Sequence, residues 1–181
     1  MRPLFDRRRV FAAVRRQLCV FGVLGWALVA SCSLSASEDW RLGIKHKVFR
    51  ESAREALDGA LRWLSDGRCQ RLLLEFRDER GSLLIERLAE LGMSCQQYLR
   101  LISFVDGSLS PHCVDGKTLA FTAPGSRVVF ICARHFQHTW RAQPEFAKAV
   151  LIHEMLHTLG LGENPPSSEY ITGRVLKVCD R

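Results

Sequence analysis

The sequence predicts an α+β fold in which a small antiparallel sheet packs on one long buried helix, with further helices beside it. Three observations lead to this prediction. Apolar residues recur at helical spacing across residues 44–65. Three short segments between residues 98 and 133 are rich in β-branched and aromatic residues, as strands are. Residues 144–160 are apolar nearly all round, which is typical of a helix inside a core.

The first half of residues 38–181 is predicted to be helical. The first helix covers residues 44–65 and is stopped by Asp66-Gly67. The short apolar segment CQRLLLEF fits either a strand or a helix. Ser82 is expected to cap a second helix, SLLIERLAELG, which Gly92 ends.

The second half is predicted to hold the sheet and two more helices. The segments YLRLISFVDG, TLAFTA and SRVVFICA are read as strands, and Pro124-Gly125 predicts a hairpin between the last two. The long helix PEFAKAVLIHEMLHTLG has proline in its first turn and ends at Gly160. Ser167 and Ser168 are expected to cap a final helix, SEYITGRVLKV.

Residues 1–37 are predicted to be an export leader that precedes a single domain, 38–181. The start carries six arginines and one acid, and an uncharged run from Leu18 to Ser37 ends in small residues. A retained anchor is the alternative, because about 20 uncharged residues just span a bilayer. The segment Val29-Ala30-Ser31-Cys32 resembles a lipobox, so plain cleavage and membrane attachment through a lipidated Cys32 both stay open. The expected location is the periplasm, the cell envelope or the medium.

The charge of the chain belongs mostly to this leader. The whole chain carries +7, and residues 1–31 contribute +5 of it through their six arginines and one aspartate. The remainder is close to +2, which argues against a nucleic-acid partner.

Export predicts disulfides among the seven cysteines, of which Cys19 lies in the leader. Cys113 and Cys132 flank the predicted hairpin and form the first expected pair. Cys69 is expected to pair with Cys95, and Cys179 is then left over or replaces one of these partners.

The segment HEMLHTLGLGE carries the candidate chemistry. His153 and His157 are four residues apart on a predicted helix, so both project from one face and can hold one metal ion. Glu154 lies about 100° around the helix axis, off the metal but close to a water beside it. Such a glutamate can accept the proton of the attacking water and return it to the leaving amine.

His153-Glu154-x-x-His157 resembles the zincin metallopeptidases, and the longer pattern HExxHxxGxxE resembles their metzincin branch. The resemblance covers residues 150–168 and implies a zincin-like fold, a Zn²⁺ cofactor, a peptide or protein substrate and Glu163 as third ligand. The run GLGENPPSS also resembles exported bacterial zincin-like proteins. Two features depart from the pattern: Glu163 stands where metzincins have histidine, and no methionine follows the motif.

The gluzincin branch takes its third ligand from a following helix, and there Glu169 is the alternative to Glu163. Cys132 as third ligand would resemble deformylases, but disulfide formation argues against it. Tyr170 is a candidate for steadying an oxyanion, although an ordinary aromatic near the helix cap explains it too. The histidine pair in RHFQHTW is expected to lie in a surface loop.

The expected function is therefore a zinc metallopeptidase that acts outside the cytoplasm, with Glu154 as the catalytic base. One alternative is an exported, disulfide-stabilised envelope or binding protein with a structural or degenerate zinc site. Another is a hydrolase of small amides or peptidoglycan. An open coordination position distinguishes a catalytic site from a closed structural one.

Overall fold

A mixed sheet, eight α-helices and a short 3₁₀ helix (Pro111–Cys113) make up the part of the chain that the computed structural model describes, residues 39–180. The predicted leader lies outside the described residues. The helices are α1 (Lys47–Leu64), α2 (Gly67–Gln70), α3 (Leu72–Glu75), α4 (Leu84–Glu90), α5 (Cys95–Leu101), α6 (Ala133–Ala142), α7 (Pro144–Thr158) and α8 (Ser168–Cys179). The strands are β1 (Leu42–Gly43), β2 (Ser103–Asp106), β3 (Ala120–Phe121) and β4 (Val128–Ile131).

Helix α1 confirms the predicted amphipathic segment. Its apolar residues recur three and four positions apart, so they line one stripe and leave the charged residues on the other side. That stripe packs against α6 and α7 and is fully buried. It consists of Ala53, Ala56, Leu57, Ala60 and Leu64.

The sheet corrects the predicted antiparallel arrangement. Its strand order is β1-β2-β4-β3, and β2 runs parallel to both β1 and β4. Only β3 and β4 are antiparallel, joined by the hairpin predicted at Pro124-Gly125. Residues 107–127 connect β2 to β4, which exceeds the dozen or so residues that a parallel crossover needs. The mixed sheet still places the protein in a class that mixes helices and strands, compatible with α+β.

Three local predictions are also wrong. Residues Tyr98–Leu101 belong to α5 rather than to a strand, because Ser94 and Gln97 form a capping box that starts the helix before them. The segment RHFQHTW lies in α6, not in a loop. Helix α4 starts after Leu83, so Ser82 is not its N-cap.

Two disulfides join segments that are distant in sequence. Cys113–Cys132 is the expected bridge, and Cys69 pairs with Cys179, which takes the place of Cys95. Cys95 is a buried free thiol. The two bridges indicate an oxidising environment. Among the described residues, no helix is both long enough and apolar enough to cross a membrane.

Candidate metal centre

Helix α7 carries the two histidines through the middle of the core. Proline at its first position suits the start of a helix, because the N–H that proline lacks would have no partner there. Every residue from Ala149 to Thr158 is buried, since α7 packs against α1, α6 and α8. His153 and His157 are therefore buried within the core, and two polar rings in such a place need partners.

The two rings meet edge to edge. Their Nε2 atoms lie 2.8 Å apart, and the side chains of His153 and His157 are 4% and 5% exposed. The outer nitrogens are held as well: His153 Nδ1 lies 2.8 Å from the Thr172 hydroxyl, and His157 Nδ1 lies 2.7 Å from the Leu161 carbonyl oxygen. Each ring is thus held by a hydrogen bond at its Nδ1 atom, and the two Nε2 atoms face each other.

A glycine turn brings the chain back toward the two rings. Gly160 has φ +108°, and its N–H donates to the His157 carbonyl at 2.8 Å. The N–H of Leu161 donates to the Leu156 carbonyl at 3.2 Å, which completes a Schellman motif at the end of α7. The sequence-based prediction of Gly160 as the helix stop is confirmed, and the turn leads directly to Glu163.

Glu163 joins the two histidines. A ring nitrogen of His153, one of His157 and a carboxylate oxygen of Glu163 all lie within 4.8 Å of one another, and Glu163 is exposed to solvent. Among residues 39–180 this is the one set of three or more His, Cys, Asp or Glu side chains placed to hold a metal ion. The group is therefore deeply buried on its histidine side and open on its carboxylate side.

Glu169 does not belong to this group. It lies in the first turn of α8, exposed, where an acid complements the helix dipole. Ser167 caps that helix, as predicted, by accepting from the Tyr170 N–H at 3.3 Å. The Tyr170 ring is 56% exposed and packs edge-on against Phe76.

Glu154 is the most constrained acid of the site. It is 5% exposed, and its Oε2 atom has no hydrogen-bond partner among the described residues. Burial, and secondarily the nearby Glu163 carboxylate, raises the pKa of Glu154 to about 8. Burial, together with the neighbouring His157, lowers the pKa of His153 to about 3. Both shifts favour the neutral forms of Glu154 and His153.

The residues fit a divalent metal ion. Two imidazoles and a carboxylate are a common donor set for zinc with an open position. In a tetrahedral site, two nitrogens 2.0–2.1 Å from zinc lie about 3.3 Å apart, so the 2.8 Å gap between the Nε2 atoms needs only a small opening. A cation also offsets the cost of burying an unpaired Glu154 carboxylate.

The remaining candidates lie elsewhere. His135 and His138 sit on α6, and neither belongs to the group around His153. Cys132 is bonded to Cys113, so its sulfur is not free to act as a ligand.

Thr172 and the Leu161 carbonyl were missed by the sequence-based reasoning. One signal was available for Thr172, which is the polar member of the buried stripe of α8. The other members of that stripe are Ile171, Val175 and Cys179. No comparable signal exists for Leu161, because its contribution is a backbone oxygen placed by the turn.

Comparison of the chain with protein-family models, with curated proteins and with solved structures finds no significant match to any of them. The interpretation of the site therefore rests on its own residues.

Proposed function

We propose that the protein is a zinc-dependent metallopeptidase that hydrolyses peptide bonds outside the cytoplasm. The observation that supports this most is the convergence of His153, His157 and Glu163 beside a buried, partly unpartnered Glu154. A structural ion would need no such acid next to it. Hydrolysis needs one, because the attacking water must lose a proton.

His153, His157 and Glu163 would hold the ion in this proposal. Zinc supplies Lewis acidity there, which polarises a carbonyl group and makes a nearby water more acidic. Glu154 accepts the proton of that water and then donates it to the nitrogen of the leaving amine. The apolar packing around Glu154 excludes bulk water, and this strengthens its electrostatic interactions.

Access to the site also favours catalysis over a purely structural role. Structural zinc sites are closed by four protein ligands. Here three side chains form the group within residues 39–180, and the Glu163 side is exposed. A bound ion would therefore keep a coordination position open on the exposed side, from which a peptide would approach.

The proposed compartment follows from the cysteines. Two disulfides indicate an oxidising environment, and export through the leader of residues 1–37 would deliver the chain there. Whether the mature chain is released or held by a lipid on Cys32 is an independent question, answered by mass measurement of its N-terminus.

The deciding experiment compares wild-type protein with Glu154→Gln, both purified after expression of the full chain. Zinc content should be close to one per chain in both, because the substitution leaves all three ligands in place. Wild type should cleave casein, and Glu154→Gln should be at least about 100-fold slower because it cannot accept the proton. Glu169→Gln, an exposed change on α8, is the matched control and should retain activity.

Each failure has its own meaning. No zinc in the wild type excludes the metallopeptidase. Zinc without cleavage of casein or of peptidoglycan fragments would favour an envelope or binding protein with a structural ion. Equal cleavage by wild type and Glu154→Gln removes Glu154 from the role of base.

A further inference from the structure

Thr172 lies on α8 and contacts His153, one of the three residues of the candidate metal site. Its side chain is almost fully buried, at 7% exposed, within an otherwise apolar stripe. Its hydroxyl oxygen lies 2.8 Å from His153 Nδ1, on the side of the ring away from His157. A hydroxyl placed in apolar packing is costly unless it is hydrogen-bonded, and here His153 is its side-chain partner.

The hydrogen bonds around the two rings fix where the protons lie when both rings are neutral. The Leu161 carbonyl can only accept, so His157 carries its proton on Nδ1 and has a lone pair on Nε2. That lone pair lies 2.8 Å from His153 Nε2, which must therefore donate. With its proton on Nε2, His153 has a lone pair on Nδ1, and the Thr172 hydroxyl must donate to it.

A metal ion would break the bond between the two rings and reverse the bond to Thr172. With both Nε2 lone pairs acting as ligands, the proton of His153 would lie on Nδ1. The neighbouring atom at Nδ1 is the Thr172 oxygen, which must now accept. A hydroxyl can act both as donor and as acceptor, whereas a carboxylate only accepts.

We propose that Thr172 is a positioning residue that holds the His153 ring in one orientation in both the metal-free and the metal-loaded protein. It donates to Nδ1 before the metal binds and accepts from Nδ1–H afterwards. The inference rests on the proposed metal site but is independent of hydrolysis. It also explains why a neutral hydroxyl, rather than an acid, occupies this buried position.

Zinc affinity tests the role of Thr172 without any substrate. The full chain is expressed and purified as wild type, Thr172→Val and Thr172→Ser, and the zinc Kd is measured by competition with a chromophoric chelator. Valine keeps the shape but cannot hydrogen-bond, so its Kd should rise about 10-fold or more. Serine keeps the hydroxyl and should restore affinity close to wild type. Thr158→Val is the matched control, since Thr158 is also buried but its hydroxyl donates to the Met155 carbonyl.

Two spectroscopic measurements separate positioning from a general loss of stability. Cobalt(II) bound to Thr172→Val should show a changed visible spectrum, because the His153 ring loses its hydrogen bond at Nδ1. The spectrum of Thr158→Val should match that of wild type. Long-range ¹H–¹⁵N NMR of wild type should find the His153 proton on Nε2 without metal and on Nδ1 with zinc.

The outcomes are distinct. Thr172→Val that binds zinc as tightly as wild type, or a His153 proton that stays on one nitrogen in both states, overturns this inference and leaves the metal site intact. Wild type that binds no zinc overturns the proposed function itself, and this inference with it.

Discussion

The backbone N–H of Glu79 donates a 3.1 Å hydrogen bond to the carbonyl of Gly160. Asp78 next to it forms an isolated antiparallel bridge with Leu161, whose carbonyl in turn accepts from His157. A surface turn distant in sequence thus supports the loop that follows α7. The orientation of the His157 ring depends on this contact, because the oxygen that fixes the ring belongs to the supported loop.

Gly160→Ala should destabilise the protein. The φ of +108° is strained for any residue with a side chain, and a Cβ atom there would lie 3.1 Å from the Asp78 Cβ. We expect a loss of about 1–3 kcal/mol in the free energy of unfolding, measured by urea denaturation in the presence of a chelator.

Gly173→Ala is the matched control for that measurement. Gly173 lies inside α8, and a Cβ atom there meets nothing within 4 Å. Alanine should therefore stabilise the helix by about 0.5–1 kcal/mol. If both glycine variants unfold at the same urea concentration, the turn at Gly160 does not carry the strain inferred for it.

Helix α7 could be predicted from the sequence because its signals are local. Histidines four residues apart share a helix face whatever surrounds them, and Gly160 marks the helix end through its own backbone. The sheet could not be predicted in the same way. A strand's residues indicate which face is buried but not the direction of its neighbours, and β1 has only two residues.

Two of the wrong secondary-structure predictions, in α5 and α6, can be traced to signals that the sequence contains. The capping box Ser94-x-x-Gln97 marks the start of a helix. The strand prediction for the residues that follow gave more weight to their β-branched side chains than to this box. In α6, the residues Ala133, Phe136 and Trp140 have helical spacing, which indicates a helix. The loop prediction rested on the two histidines alone and did not use this spacing. The contact between Thr172 and His153 joins residues 19 apart, so no local pattern reports it.

Glu163→Ala should weaken zinc binding far more than Glu169→Ala. The first removes a side chain that lies with the two histidines, and the second removes an exposed acid at a helix start. Loss of a direct ligand should cost at least the roughly 10–100-fold in Kd that loss of a supporting contact costs. Loss of the helix-start acid should cost about 1 kcal/mol or less in stability and leave the Kd unchanged. The reverse order of the two Kd values would make Glu169 the ligand.

Thiol titration should find one reactive cysteine among residues 39–180. Cys69, Cys113, Cys132 and Cys179 are bridged, and Cys95 is free. Cys95 is buried, and burial raises the pKa of its thiol, so little thiolate forms at neutral pH. A disulfide reagent should therefore react slowly with the native protein and rapidly after denaturation. Several reactive thiols in freshly exported protein would contradict both bridges.

The stability of the metal-free protein should depend on pH through Glu154. Its pKa is about 8 in the folded protein and close to the ordinary 4.5 in the unfolded chain. Between these two values the folded state holds a proton that the unfolded state has lost. Stability from this group is therefore complete below pH 4.5 and is lost as the pH rises to about 8.

Glu154→Gln should remove that pH dependence. Thermal unfolding is measured with a chelator at pH 5, 6, 7 and 8, and the variant should melt progressively higher than wild type. Each pH unit in this range corresponds to about 1.4 kcal/mol, or roughly 4–6 °C for a domain of this size. Saturating zinc should abolish the difference, because a nearby cation lowers the pKa of the glutamate.

Glu145→Gln on the same helix is the control of opposite sign. Lys148 donates a hydrogen bond to the exposed Glu145 and lowers its pKa, so that group stabilises the fold above pH 4.5 and loses its effect as the pH falls. Its variant should melt slightly lower than wild type at pH 7, with only a small effect because water screens the pair. Parallel melting curves for wild type and Glu154→Gln from pH 5 to 8 would mean that the Glu154 carboxyl is not buried as the packing of α7 requires.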